Sequence, residues 1–209
     1  DFYYVYIDIK EVVFGTPWYV GPIRTMSEAI KKQREREQAI KDKAYKSANL
    51  RENYTTGAFS PPLTNIDITD KFGTPRLYGN RDRKTKKIKI KNTIYHGGTD
   101  LRARTSLPVN AINSGKVLLA HNFPIGGTEG KMLIIDHGSG ILSLYLNLSK
   151  FNVKVSDVVT KGQEVALTGA TPRGTPPHLH FMNKVHGTNV DPLAFIDRIN
   201  TALPYGENR

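Results

Sequence analysis

From Asp67 onward the chain never runs far without a turn residue. Short apolar runs at 109–120, 132–136, 141–148, 153–159, 164–168 and 178–185 are separated by Gly, Asn, Asp and Pro. Runs this short, bounded by breakers, suit strands rather than helices of several turns. They predict a mainly β fold, a compact antiparallel sheet domain with many tight turns.

The upstream part reads differently. Residues 2–20 are rich in aromatic and β-branched side chains and break at Gly15-Thr16-Pro17, which predicts two strands and a turn. The chain from Ser27 to about 47 lacks Gly and Pro and predicts one long polar helix, with Ser27 as N-cap. Charged nearly all round, that helix can pack only by a narrow stripe of Met26, Ile30, Ile40 and Ala44. Residues 48–66, with Gly57 and Pro61-Pro62, read as an extended linker. The expected organisation is an N-terminal appendage over 1–66, resembling the end of a larger β module, a functional domain over 67–200 and a tail over 201–209.

Charge and composition narrow the chemistry. The net charge of +11 favours anionic partners. Its densest part, residues 81–91, alternates Ile88 and Ile90 with lysines, as an exposed hairpin or edge strand does. Neither this run nor the mixed-charge run at 31–46 carries the aromatic interleaving of a nucleic-acid reader, so nucleic acid is not an expected partner. No run of about eighteen apolar residues occurs, and no membrane anchor is expected within the chain shown. Cysteine is absent, so any metal must be held by His, Asp or Glu.

Two clusters offer such ligands. Tyr95-His96-Gly97-Gly98-Thr99-Asp100 sets a His and an Asp around a glycine turn, and Pro177-His178-Leu179-His180-Phe181 reads as a strand. Alternate residues of a strand share a face, so His178 and His180 project together while Leu179 and Phe181 face the other way. Two imidazoles meeting a His and an Asp from elsewhere supply three ligands for a zinc and one spare base, leaving a coordination position open. The histidines at 121, 137 and 186 sit in loop or turn contexts and read as structural.

The residues around these clusters carry a resemblance. His96, Gly98 and Asp100 match the His-x-Gly-x-Asp motif of the LytM/lysostaphin-type zinc metallopeptidases, and Pro177-His178-Leu179-His180-Phe181 matches most of their last motif. Between them, Ile135-Asp136-His137-Gly138, Tyr145 before Leu148-Ser149, Lys161-Gly162-Gln163 and Val190-Asp191-Pro192 follow the family's order, across about 69–196. The resemblance implies a zinc-dependent endopeptidase acting on bacterial peptidoglycan outside the cytoplasm, in the periplasm or cell envelope. It implies one zinc on His96, Asp100 and His180, His178 as a catalytic histidine, and Tyr145 beside the position of a second one. That second position is occupied by Asn147, and Pro176 stands where the family usually has Gly. Asparagine can donate a hydrogen bond but cannot carry a proton at neutral pH. Reduced activity is therefore one expectation. The other is a catalytically impaired domain that binds zinc and the wall as a regulator or scaffold. The expected partner is peptidoglycan or an anionic wall polymer, with room for protein partners.

Overall fold

The computed structural model describes residues 15–21, 26–123, 130–171 and 176–202. The first expected strand, before Gly15, and most of the expected tail lie outside these residues. In chain order the elements are β1 (Trp18–Gly21), α1 (Glu28–Lys46), β2 (Ile68–Asp70), β3 (Pro75–Arg81), β4 (Ile88–Tyr95), β5 (Thr99–Arg102) and β6 (Pro108–Asn110). They continue with β7 (Gly115–Phe123), β8 (Gly130–Asp136), β9 (Ile141–Phe151), β10 (Val158–Val159), β11 (Glu164–Thr168), β12 (His178–Val185), β13 (Thr188–Val190) and α2 (Pro192–Ala202).

The punctuated apolar runs have become the strands of one large sheet, ordered β10-β7-β8-β9-β12-β5-β2, with β11 joining β9 to β6 and β13 joining β12. The pairings within it are antiparallel. A three-stranded sheet, β1-β3-β4, stands beside it, and there β1 runs parallel to β3. Residues 81–91 form the hairpin expected of them: the Asp82 carboxylate accepts from the backbone N–H of Lys84 and Thr85 in the β3–β4 turn, while Ile90 stays exposed.

The central strand β9 is buried on both faces. On one, Tyr145 and Leu148 join Leu133, Ile135, Leu179 and Phe181 in the main core. On the other, Leu142, Leu144 and Leu146 pack with Ile134, Met132, Phe123 and Ala44 of α1. Helix α1 begins at the Ser27 cap, whose hydroxyl accepts from the Ile30 N–H. Its expected stripe is cut short: Ala44 is buried, but Ile30 and Ile40 remain exposed and the inward residue between them is Glu37. The helix meets the sheet through Ala44, with Tyr45 packed beside it and Lys41 over the Phe123 ring, while Ile30 and Ile40 stay outside that cluster.

Residues 48–66 contain no helix or strand, yet they are strapped to the domain. Phe59 and Leu63 enter the main core, Phe59 meets Phe195 edge-on at 5.4 Å, and the Asn200 side chain bonds both the N–H and the carbonyl of Phe59. A second helix, α2, adds to the one the sequence analysis identified. Its start is encoded by Asp191-Pro192: the Asp191 carboxylate accepts from the N–H groups of Leu193 and Ala194, and proline suits a first helical position.

Candidate metal centre

Three elements converge on one point. Asp100 on β5 and His180 on β12 are direct cross-strand partners, so their side chains leave the same face of the sheet. His96 follows β4 and is pinned by its own backbone: its N–H donates to the Thr74 carbonyl, and its carbonyl accepts from Gly73. The His96 ring donates Nδ1–H to the Lys71 carbonyl at 2.9 Å, which turns the Nε2 lone pair inward. There Nε2 lies 3.0 Å from His180 Nδ1 and 3.2 Å from Asp100 Oδ1, and His180 Nδ1 lies 2.6 Å from Asp100 Oδ1. Gly98 makes the approach possible, since a Cβ there would meet His180 Nε2 at 3.0 Å and the Phe181 carbonyl oxygen at 2.5 Å.

The donor set fits zinc. Zn–N and Zn–O bonds near 2.0–2.2 Å in a tetrahedron separate ligand atoms by about 3.3 Å, close to the spacing found. The protons make the same case. His180 Nδ1 sits between Asp100 Oδ1 and His96 Nε2, two atoms that can only accept. One proton on Nδ1 satisfies one of them, whereas a cation satisfies all three donors. Burial pushes the Asp100 carboxyl up, but the adjoining His180 and His96 imidazoles outweigh it and hold the group far below the usual carboxylate range. Burial pushes the His180 imidazole down, favouring the neutral form that a metal needs.

A surrounding layer that the motifs did not disclose orients these groups. The Arg76 guanidinium donates to Asp70 Oδ2 at 2.7 Å and to Asp100 Oδ2 at 3.3 Å, leaving Asp100 Oδ1 for the histidines. Asp70 Oδ2 lies 3.3 Å from His96 Nδ1, and the Arg76 guanidinium rests over the Trp18 ring at 5.5 Å. The only signal in the sequence was the position of Arg76 just after Phe72-Gly73; Asp70 and Trp18 carried none.

The other residues singled out from the sequence separate into two groups. His178 joins the site: its Nδ1–H donates to the Pro176 carbonyl at 2.7 Å, and its Nε2 lies 3.9 Å from Asp100 Oδ1. Tyr145 does not. It pairs with Phe181 across β9 and β12, hence faces away from His180, and its hydroxyl is held in the core by the Ile112 N–H and Ser143. Burial pushes its phenol up to about 12. Strand alternation thus turns the Tyr145 side chain into the core. Asn147 is buried at a bulge in β9 with φ 63, and its amide donates to the Thr171 carbonyl at 2.5 Å. Asparagine and histidine are among the residues that tolerate this backbone region. His137 is fully buried, His121 packs edge-on against Phe123, and His186 occupies the β12–β13 turn against Gly140.

Known proteins share this architecture. Residues 94–192 match the family model described as Peptidase family M23. The peptidoglycan DD-endopeptidase ShyB of Vibrio cholerae is 40% identical over 100 residues, covering 48% of this chain and 23% of that protein. An M23 peptidase candidate from Pseudomonas aeruginosa has a structure similar to this one with a TM-score of 0.62 at 27% identity, over 79% of this chain and 61% of that one. A zinc containing peptidase from Vibrio cholerae gives a TM-score of 0.53 at 32% identity, over 66% and 39%. The chain spans only 23% and 27% of the length of the first two curated relatives it matches. Sequence, sheet topology and the His-Asp-His cluster agree: residues 94–192 are a domain of peptidase family M23, the family of the LytM/lysostaphin-type zinc metallopeptidases.

Proposed function

We propose that this chain is a zinc-dependent endopeptidase that hydrolyses peptide bonds of bacterial peptidoglycan, acting in the periplasm or cell envelope. The observation that carries the reading is the convergence of His96 Nε2, Asp100 Oδ1 and His180 Nδ1, with His178 beside them. These three would hold one zinc per chain, and His178 would remain outside the ligand set. Zinc bound there supplies a Lewis acid for the scissile carbonyl and a lowered pKa for the attacking water.

His178 is built as a base. Its Nδ1–H is committed to the Pro176 carbonyl, so Nε2 is the acceptor, and the 3.9 Å to Asp100 Oδ1 puts that acceptor at the edge of the cluster. From there it takes the proton of an attacking water and returns it to the leaving amine. Asn147 can donate an N–H to the developing oxyanion but cannot share in this proton traffic. Loss of one acid–base partner typically lowers a rate by about a hundred- to ten-thousand-fold. A slow enzyme is the reading that results.

One observation favours a second reading, in which the domain binds zinc and wall material as a regulator or scaffold. The Asn147 amide already donates to the Thr171 carbonyl, so it serves the fold as well as the cleft. Incubation of purified sacculi with the zinc-loaded chain separates the two. Release of soluble peptides that stops with chelator supports the endopeptidase; retention on sacculi with no release, at any zinc level, selects the scaffold.

A further inference from the structure

The N-terminal strand β1 lies outside the residues that match the family, yet it borders the metal centre. Its register places Trp18, Arg76 and Ile94 in one row across the three-stranded sheet. Cross-strand partners share a face, so Trp18 and Ile94 flank the guanidinium that bridges Asp70 and Asp100. Both flanking side chains are open to solvent, Trp18 at 45% and Ile94 at 49%. A large aromatic ring held over a fixed cation and left half exposed is an unfinished surface.

Beside that ring lies a cleft of about 710 Å³, within the range of pockets that bind small ligands. One wall is Trp18 and the segment before it; the other is β2 with Ile68 and Asp70, and Asp100 links the cleft to the metal centre. Among the described residues, strand β2 ends the large sheet and pairs only with β5. Its outer edge therefore carries main-chain groups with no strand partner among those residues, the template on which an extended peptide adds as a further strand. At about 3.3 Å per residue, the three residues of β2 match about three residues of such a peptide. Apart from Trp18 and Ile68 the walls are small or polar, which suits a peptide recognised by its backbone and carrying small side chains.

We propose that this cleft is a peptide subsite: an extended segment of the wall stem peptide lies along the β2 edge under the Trp18 ring and enters the metal centre past Asp100. The inference rests on the endopeptidase reading for the identity of the peptide, but not for the site. It makes Trp18 a substrate-contacting residue contributed by a segment outside the family domain. Charge agrees with it, because Arg76 pairs with both Asp70 and Asp100 at the cleft wall and Lys71 lines the same cleft, so two cations offset the two carboxylates there.

The chain contains a single tryptophan, so indole emission, excited at wavelengths the tyrosines do not absorb, reports on this cleft alone. Titration with stem tetrapeptide released from sacculi by an amidase should shift Trp18 emission saturably, with zinc bound and equally after chelator treatment. Trp18→Ala should weaken peptide binding about tenfold or more and raise KM more than it lowers kcat, while zinc retention against chelator stays unchanged. Trp18→Phe should restore most of the affinity. Emission that does not move at peptide concentrations that saturate binding or cleavage overturns the subsite. So does loss of zinc retention in Trp18→Ala, which would mean that the ring acts through Arg76 on the ligands. Cleavage with silent emission defeats this inference alone; an emission shift without cleavage defeats the endopeptidase reading and leaves the subsite standing.

Discussion

Strands β9 and β12 present histidine chemistry on both of their faces, and the two faces differ in how their protons balance. On the inner face His137 donates Nδ1–H to the Ser114 carbonyl, its Nε2 lies 2.8 Å from the Ser143 hydroxyl, and Ser143 donates to the Tyr145 hydroxyl, which also accepts from the Ile112 N–H. Each polar group there has a partner within the core. On the outer face His180, His96 and Asp100 bring three potential acceptors together with too few protons to serve them. Both sites hold buried histidines, so burial does not tell them apart. The surplus of lone pairs does, and a cation is what removes it. A histidine in a closed circuit is structural; one among competing acceptors is a ligand.

The strongest test of that distinction is to remove one histidine from each face. His180→Ala should abolish zinc binding, read by metal analysis of the purified chain, and full zinc occupancy in that variant would break the comparison. His178→Ala should keep the zinc yet lose peptide release by at least about a hundredfold. His137→Ala should do the opposite of His180→Ala. Zinc stays near one per chain, while stability falls by about 2–4 kcal/mol, because a cavity opens and the Ser114 carbonyl and Ser143 hydroxyl lose their partner. Denaturant unfolding of the zinc-loaded protein measures it.

Acidification sharpens the same contrast. Burial pushes His137 down to about 4 from an ordinary value of 6.5. A base depressed in the folded state binds its proton first in the unfolded chain. The stability it contributes is therefore complete above pH 6.5 and is lost as pH falls from there towards about 4. The loss approaches about 3 kcal/mol. Comparison with His137→Gln isolates it, since acid release of zinc affects both chains alike. An identical pH dependence in the two would mean that the inner circuit accepts a proton without cost.

Asn147 lies between the two regimes, buried like His137 but one residue beyond Leu146, the cross-strand partner of His180. Asn147→His should raise peptide release about tenfold or more, at least about 1.4 kcal/mol in the barrier, with zinc content unchanged. The left-handed backbone there accepts histidine, so the variant should fold. A slower Asn147→His enzyme would show that the amide has its own task. The smallest effect belongs to the surface. Neutralising Lys84, Lys86, Lys87 and Lys89 on the β3–β4 hairpin should weaken retention on sacculi at low salt and change little at high salt, since exposed charges are screened over about 8 Å at physiological ionic strength. Salt-insensitive retention would make the basic hairpin incidental.

Much of this protein was legible from local pattern. Turn residues between short apolar runs specify strands; His178 and His180 two apart on a strand must share a face; Ser27 before a breaker-free run starts a helix. Each rests on periodicity or capping, which a few neighbouring residues decide. The helix stripe failed at Ile30 and Ile40 because amphipathicity shows what a helix can bury, not whether anything lies opposite. Helix α2 was marked by Asp191-Pro192, a signal masked by its position just after the last motif. Tyr145 was drawn to the site by its place two residues before Asn147, yet a bulge at Leu146-Asn147 and its pairing with Phe181 turn it into the core.

What the sequence determined by itself is the strand-rich fold and the residue types of the ligand set, because both follow from short-range spacing. Only the tertiary structure decided which atoms meet: His96 Nε2 rather than Nδ1, Asp100 shared with Arg76, Trp18 beside the cleft and Asn147 on Thr171. These contacts join residues 24 to 84 positions apart, or in the case of Trp18 bring a separate strand alongside. No local rule ranks such pairings, since their geometry depends on register, bulges and the packing of two sheets.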